Sequence, residues 1–144
     1  MKISVVEEPG AQKEVVIRCN KVDDEVRELI RLIGIKDKRL AVEDGESLLF
    51  LEPSEVLYCE YVNDRVFFYT EKTVYPAGCT LAETEETYSP FGFFRCSKSM
   101  VVNLRKIVSL KSEMNGRIIA TVKNGERIII SRHYSKLLRW RLNS

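Results

Sequence analysis

One histidine, His133, and four cysteines without a CxxC pair give these 144 residues little from which to build a Cys/His metal site. The short ligand spacings that such sites use are missing. Cys19, Cys59, Cys79 and Cys96 are spread along the chain and are expected to be free thiols of a reducing compartment. No apolar run approaches the ~20 residues needed to cross a bilayer. The opening stretch, MKISVVEEPGAQKE, has one Lys and no long apolar core, so no signal peptide is expected. These absences predict a cytoplasmic protein without a membrane partner. Also missing are a glycine-rich phosphate loop, an H-E-x-x-H pair and a nucleophile elbow. His133 lies in the basic stretch SRHYSK and reads as a partly exposed helix residue, while Glu85-Glu86 falls on an expected surface helix. Neither an enzyme nor a cofactor is expected.

Acids are scarce in one place. From Arg95 to Ser144 there are twelve Lys and Arg but only Glu113 and Glu126 against them. Set against whole-chain totals of 23 basic and 21 acidic residues, this leaves 11 and 19 in 1–94. A formal charge of +2 therefore hides about +10 in the last third and about −8 before it. Charge of one sign on a compact segment, with Ser and Asn interleaved, is the footprint of a phosphate-backbone binder.

The length suits one domain with at most a small appendage, and 44 % hydrophobic residues permit a real core. EVVIRC (14–19) has strand composition and leads into a helix. Asp23 or Asp24 is its cap, Val26, Leu29, Ile30 and Ile33 form its apolar stripe, and Gly34 is its expected stop. This β–α extension, residues 1–37, is too short to bury its own stripe, so it must pack on the rest of the chain or on a second copy. From Leu40 the pattern turns to strands, with LLFLE, EVLYCEYV and RVFFYT punctuated by Pro53 and a tight turn at Asn63-Asp64. A helix over 81–88 is expected to be capped by Thr80, with Glu83 completing a T-x-x-E box, and to end at Ser89-Pro90 and Gly92. Asn115-Gly116 and Asn124-Gly125 divide 106–131 into a three-stranded meander. Ile118, Ala120 and Val122 should share one face of its middle strand. SRHYSKLLRWRL reads as a last helix, with Ser131 as cap and Tyr134, Leu137, Leu138 and Arg141 along one side. The expected fold is mainly β with short helices.

The segment Arg95-Cys96-Ser97-Lys98-Ser99 lies between Phe93-Phe94 and Met100-Val101-Val102. It reads as a short polar loop held by two apolar anchors, with Arg, Ser, Lys and Ser presented outward. Such groups bind phosphate oxygens, and Lys or Arg also reaches guanine O6 and N7. Asn103, Arg105 and Lys106 extend the polar surface. A solvated basic turn is the bland alternative, and the same charge sign at Arg132, Lys136, Arg139 and Arg141 weighs against it.

The run F-F-R-C-S-K-S-M-V-V-N-L-R-K-I, the later N-G-E-R-I-I-I-S-R-H-Y and the final L-L helix resemble the LytTR-type DNA-binding domain of bacterial transcription regulators. The resemblance covers roughly residues 38–144. It implies an elongated, mostly β fold in which loops, not a recognition helix, enter successive major grooves of bent double-stranded DNA. Carried over by position, Lys98 and Arg132 fall where side chains read bases. The third contact comes from an earlier hairpin, here Val62-Asn63-Asp64-Arg65, where Asn63 is the residue able to pair with adenine. Arg95, Ser97, Ser99, Asn103, Arg105, Lys106, Ser131 and Lys136 are then expected as phosphate contacts or loop supports. Only about 37 residues precede this region, so a receiver domain is not expected, and control falls to abundance, a regulatory protein partner or a homodimer on DNA.

Two other readings stand beside this one. The acidic N-terminal unit is suited to a protein-interaction module acting as an anti-activator. An RNA binder would need an exposed aromatic platform, which the loop lacks. Cys96, beside Arg95 and Lys98, is either a redox-sensitive thiolate or a buried structural thiol.

Overall fold

Three pairs of neighbours, Tyr58/Cys59, Phe93/Phe94 and Val101/Val102, are buried, yet in each pair the two side chains enter different cores. A strand projects successive side chains to opposite faces, so the sheet carrying these residues must be covered on both sides. The computed structural model, which describes residues 1–143, shows how. Seven antiparallel strands, β1 (Leu40–Asp44), β2 (Ser47–Leu51), β3 (Tyr58–Val62), β4 (Arg65–Tyr69), β5 (Val74–Ala77), β6 (Phe93–Ser97) and β7 (Met100–Asn103), lie in the order β2-β1-β5-β4-β3-β7-β6. One face packs Leu40, Val42, Cys59, Phe68, Phe93 and Val101 under Leu81 and Tyr88 of helix α2 (Leu81–Tyr88). The other packs Leu57, Tyr58, Phe94, Cys96 and Val102 against a second sheet and helix α3 (Arg132–Leu142). That second sheet joins β8 (Ile107–Ser112), β9 (Ile118–Val122) and β10 (Arg127–Ile130) in the order β10-β9-β8.

Several local expectations hold for the physical reason given. Thr80 accepts from Glu83 N at 3.1 Å and caps α2. Asn63 and Asp64 both adopt positive φ, 52° and 62°, in the β3–β4 turn. Ile118, Ala120 and Val122 are buried in alternation along β9. The two Asn-Gly hairpins form, but with three-residue loops. Gly116 N and Gly125 N donate to Glu113 O and Val122 O, only the glycines take positive φ, and each Asn side chain accepts from the residue two further on.

Other expectations need correction. Residues 14–19 form no strand and pair with no strand of either sheet. Helix α1 (Asp24–Lys36) is capped by Asp23 as expected, but it runs through Gly34. There the missing side chain admits the ring of Phe50: a Cβ would lie 2.7 Å from Phe50 Cε1. The helix packs on β1, and Arg31 reaches Glu83 of α2 at 2.7 Å, so its partner is the rest of the chain. In α3 the buried side is Ser135 and Leu138, while Leu137 is exposed. Ser131 occupies the cap position without a side-chain cap bond. Strand β5 was not anticipated, since Pro76 cannot donate to a ladder, and here it stands opposite Phe67.

Candidate nucleic-acid interface

Strand pairing brings the three expected base-reading positions to one end of the molecule. Strand β7 pairs with β3, Glu60 opposite Met100, and Tyr61 N continues the ladder to Ser99 O at 2.8 Å. The β3–β4 turn at Asn63-Asp64 therefore lies beside the β6–β7 turn at Lys98-Ser99. On the other flank of β6, Ser131 N donates to Cys96 O at 3.0 Å, which sets the start of α3 next to the same turn. Lys98, Arg132 and Asn63 are all exposed, and among the described residues no hydrogen bond or ion pair engages their side chains.

The β6–β7 connection is shorter than the sequence suggests. Arg95, Cys96 and Ser97 belong to β6, and only Lys98 and Ser99 form the turn. A bulge between Arg95 and Ser97 tightens the hairpin there. Arg95 is not presented outward as expected. Its guanidinium donates to Ser97 O at 2.8 Å and to Lys98 O, so it braces the turn that carries Lys98. Ser97 Oγ accepts from Ser99 N at 3.3 Å and closes the same turn from inside.

Of the two readings of Cys96, the structure favours the buried structural thiol. The residue is fully buried, its thiol points toward Met100 O at 3.5 Å, and burial pushes its pKa up to about 12. The flanking Arg95 lowers it by less than desolvation raises it. A buried, protonated thiol is inert, so Cys96 is packing, as its alternation with Phe94 on one strand face requires.

Asn103 is likewise not surface. Its Nδ2 donates to Val56 O at 2.9 Å and Pro53 O at 3.2 Å, and its Oδ1 accepts from Arg105 N at 3.1 Å. It pins two loops together, a support role that the polar type alone did not distinguish from a contact. Arg105 is exposed, but it stands at the far end of the β6–β7 hairpin and donates to Pro90 O at 3.1 Å. Arg141 lies there too, with its guanidinium 5.9 Å from the centroid of the Phe94 ring. Helix α3 thus runs back along β6, from Cys96 toward Phe94. Lys106 is half-buried, and Lys136 is exposed on α3.

Three features were missed. Arg65, in the same turn region as Asn63, is held by Glu43 at 2.7 Å. Tyr61 donates from its hydroxyl to Asp64 at 3.2 Å, which occupies the acid of that turn. Gly116 of the β8–β9 loop sits under Arg132, where a Cβ would meet Arg132 Cγ at 3.0 Å. The Asn-Gly pair signalled that loop, but nothing in the sequence placed it against residue 132. No three His, Cys, Asp or Glu side chains gather as a metal cluster among the described residues, and no helix among them is long and apolar enough to cross a membrane.

The family model of the LytTr DNA-binding domain matches residues 46–143. The sensory transduction protein LytT of Bacillus subtilis (strain 168) is 24 % identical over 127 residues, 88 % of this chain and 53 % of that protein. The chain thus spans about half the length of that relative. An uncharacterized HTH-type transcriptional regulator of Staphylococcus aureus (strain NCTC 8325 / PS 47) is 29 % identical over 129 residues, 88 % of this chain and 87 % of that protein. The solved structure of a LytTr DNA-binding domain from Bacillus cereus has the same fold, with a TM-score of 0.69 at 21 % identity, covering 74 % of this chain and 98 % of that one.

Proposed function

The chain belongs to the LytTr DNA-binding domain family, and from that premise we propose that it is a transcription regulator reading double-stranded DNA by sequence. Residues 38–144 are the reading unit and 1–37 its appendage. The observation that carries the proposal is the meeting of three turns at one end of the molecule, tied by the bonds Tyr61 N to Ser99 O and Ser131 N to Cys96 O. Lys98 and Arg132 project from it uncommitted. Each reaches guanine O6 and N7 in a major groove, and Asn63 pairs with adenine. Rigid support lies behind them, Arg95 and Ser97 bracing one turn and Gly116 backing Arg132. Ser99, Ser131 and Lys136 flank the turns and contact phosphate. Arg105 and Lys106, about four strand residues away along β7, meet phosphate of the next groove.

A DNA selection with the purified protein tests this. It should return a defined motif, and Lys98→Ala should relax one position of that motif. A wild-type protein that enriches no sequence, or a Lys98→Ala profile identical to wild type, would remove the assignment.

A further inference from the structure

The first 22 residues stand apart from both sheets. Their one backbone hydrogen bond among the described residues, Ala11 N to Glu8 O at 3.1 Å, closes a turn over Pro9-Gly10, with Gly10 at φ +84°. Pro at the second position and positive φ at the third mark type II geometry. A type II turn opposes the natural twist and splays the strands it joins, so residues 3–8 and 13–18 do not pair with each other. Both halves, ISVVEE and KEVVIR, are nevertheless strand-forming in composition. Val5 is 87 % exposed and Val6 84 %. This is a strand without a sheet, and an unpaired two-armed hairpin is marginal in water.

The molecule carries an edge to match. In the second sheet, β10 faces β6, whereas β8 is open, with every residue from Val108 to Ser112 exposed. Between β8 and α3 runs a groove of about 300 Å³, lined by Leu104, Ile107, Val108, Leu110, Leu138 and Leu142. Val108 is 64 % exposed and Leu110 44 %. The flanking charges are Lys106, Lys111 and Arg139, the last bonded to Ser112 Oγ at 3.5 Å. Residues 3–8 carry Glu7 and Glu8 with no cation, whereas 13–18 carry Lys13 and Arg18 against Glu14. Charge therefore selects the first half of the arm.

We propose that residues 3–8 of a second copy of this chain add a strand to β8, with Ile3 and Val5 on the face that covers the groove. The chain's own arm stands apart from β8, which leaves that edge open to the arm of a second copy. Two copies exchanging arms satisfy both edges and close the assembly with two-fold symmetry.

Sedimentation velocity on the full chain and on the variants Val5→Asp and Leu110→Asp tests the exchange. Both positions are exposed, so both variants should keep the wild-type circular dichroism spectrum. The wild type should be a dimer, and each variant should weaken dimerisation tenfold or more, a loss of ~1.4 kcal/mol. Mixing the variants leaves one intact arm and one intact groove, so the mixture should associate where either variant alone stays monomeric. A wild type that is monomeric at every concentration overturns the proposal, as does a dimer that survives Leu110→Asp. A mixture that remains monomeric would also overturn it, because a simple arm-to-arm contact cannot be rescued in this way.

Discussion

Lys98 and Arg132 differ from the arginines that brace the basic third in having nothing to hold. Arg95, Arg105, Arg139 and Arg141 each donate to a carbonyl or hydroxyl of their own chain. Replacing Arg132 by Ala should cost about 1–3 kcal/mol at one base position and little at others, which anisotropy titrations on base-substituted duplexes would measure. Arg105→Ala should instead weaken all sequences alike and flatten the salt dependence by about one unit. At Asn103 the expected loss is stability, not specificity. Asn103→Ala abandons two buried carbonyls and should lower the unfolding free energy by about 1–3 kcal/mol, readable from urea midpoints. Residue types alone could not separate these roles, since Asn103 and Asn63 look equivalent until burial is known. Cys96 was legible in principle. Phe94 and Cys96 alternate with Arg95 and Ser97, a strand pattern that the closely following Ser and Lys disguise as a loop.

At the scale of elements, turns and caps were the most legible features because their chemistry is local. Asn63-Asp64, the Thr80 cap and both Asn-Gly loops needed only a few neighbouring residues to specify them. Features that depend on distant partners were not legible. Residues 14–19 have strand composition but pair with no edge of their own fold, while β5 contains Pro76 and forms because β4 and β1 flank it. The two loop glycines give a paired prediction. Gly116 and Gly125 have similar φ, +86° and +90°, so Ala at either should cost about 1 kcal/mol of backbone strain. Only at Gly116 does the new Cβ press on Arg132, because nothing lies within 4 Å at Gly125. Gly116→Ala should therefore lower DNA affinity at matched stability, and Gly125→Ala should leave it unchanged. Binding titrations beside urea midpoints would check this.

Across the whole molecule, the charge division was legible from composition, and so was the mostly β class. The strand order β2-β1-β5-β4-β3-β7-β6 was not, because it arises from pairings between segments far apart in sequence. That order is what gathers the three turns, so the site emerges only at this scale. Burial of polar hydrogen-bearing groups also acts globally. It pushes Cys96, Tyr58 and Tyr88 up to about 12, and in each case desolvation is the largest cause. Their protonated forms are favoured in the folded state. The contribution is full below the unfolded values, near 8.5 for Cys and 10 for Tyr, and is lost as pH rises through about 12. Urea midpoints should thus hold steady to about pH 8 and fall steadily above it, less steeply in Tyr58→Phe.

The proposed DNA-facing surface lies at one end of the molecule. Backbone amide shifts recorded while a selected duplex is titrated into labelled protein address this directly. Residues 62–65, 97–100 and 131–133 should move together, with the largest changes at Lys98 and Arg132. Shifts confined to the Arg105 end of the β6–β7 hairpin or to α1, with those three segments still, would contradict it.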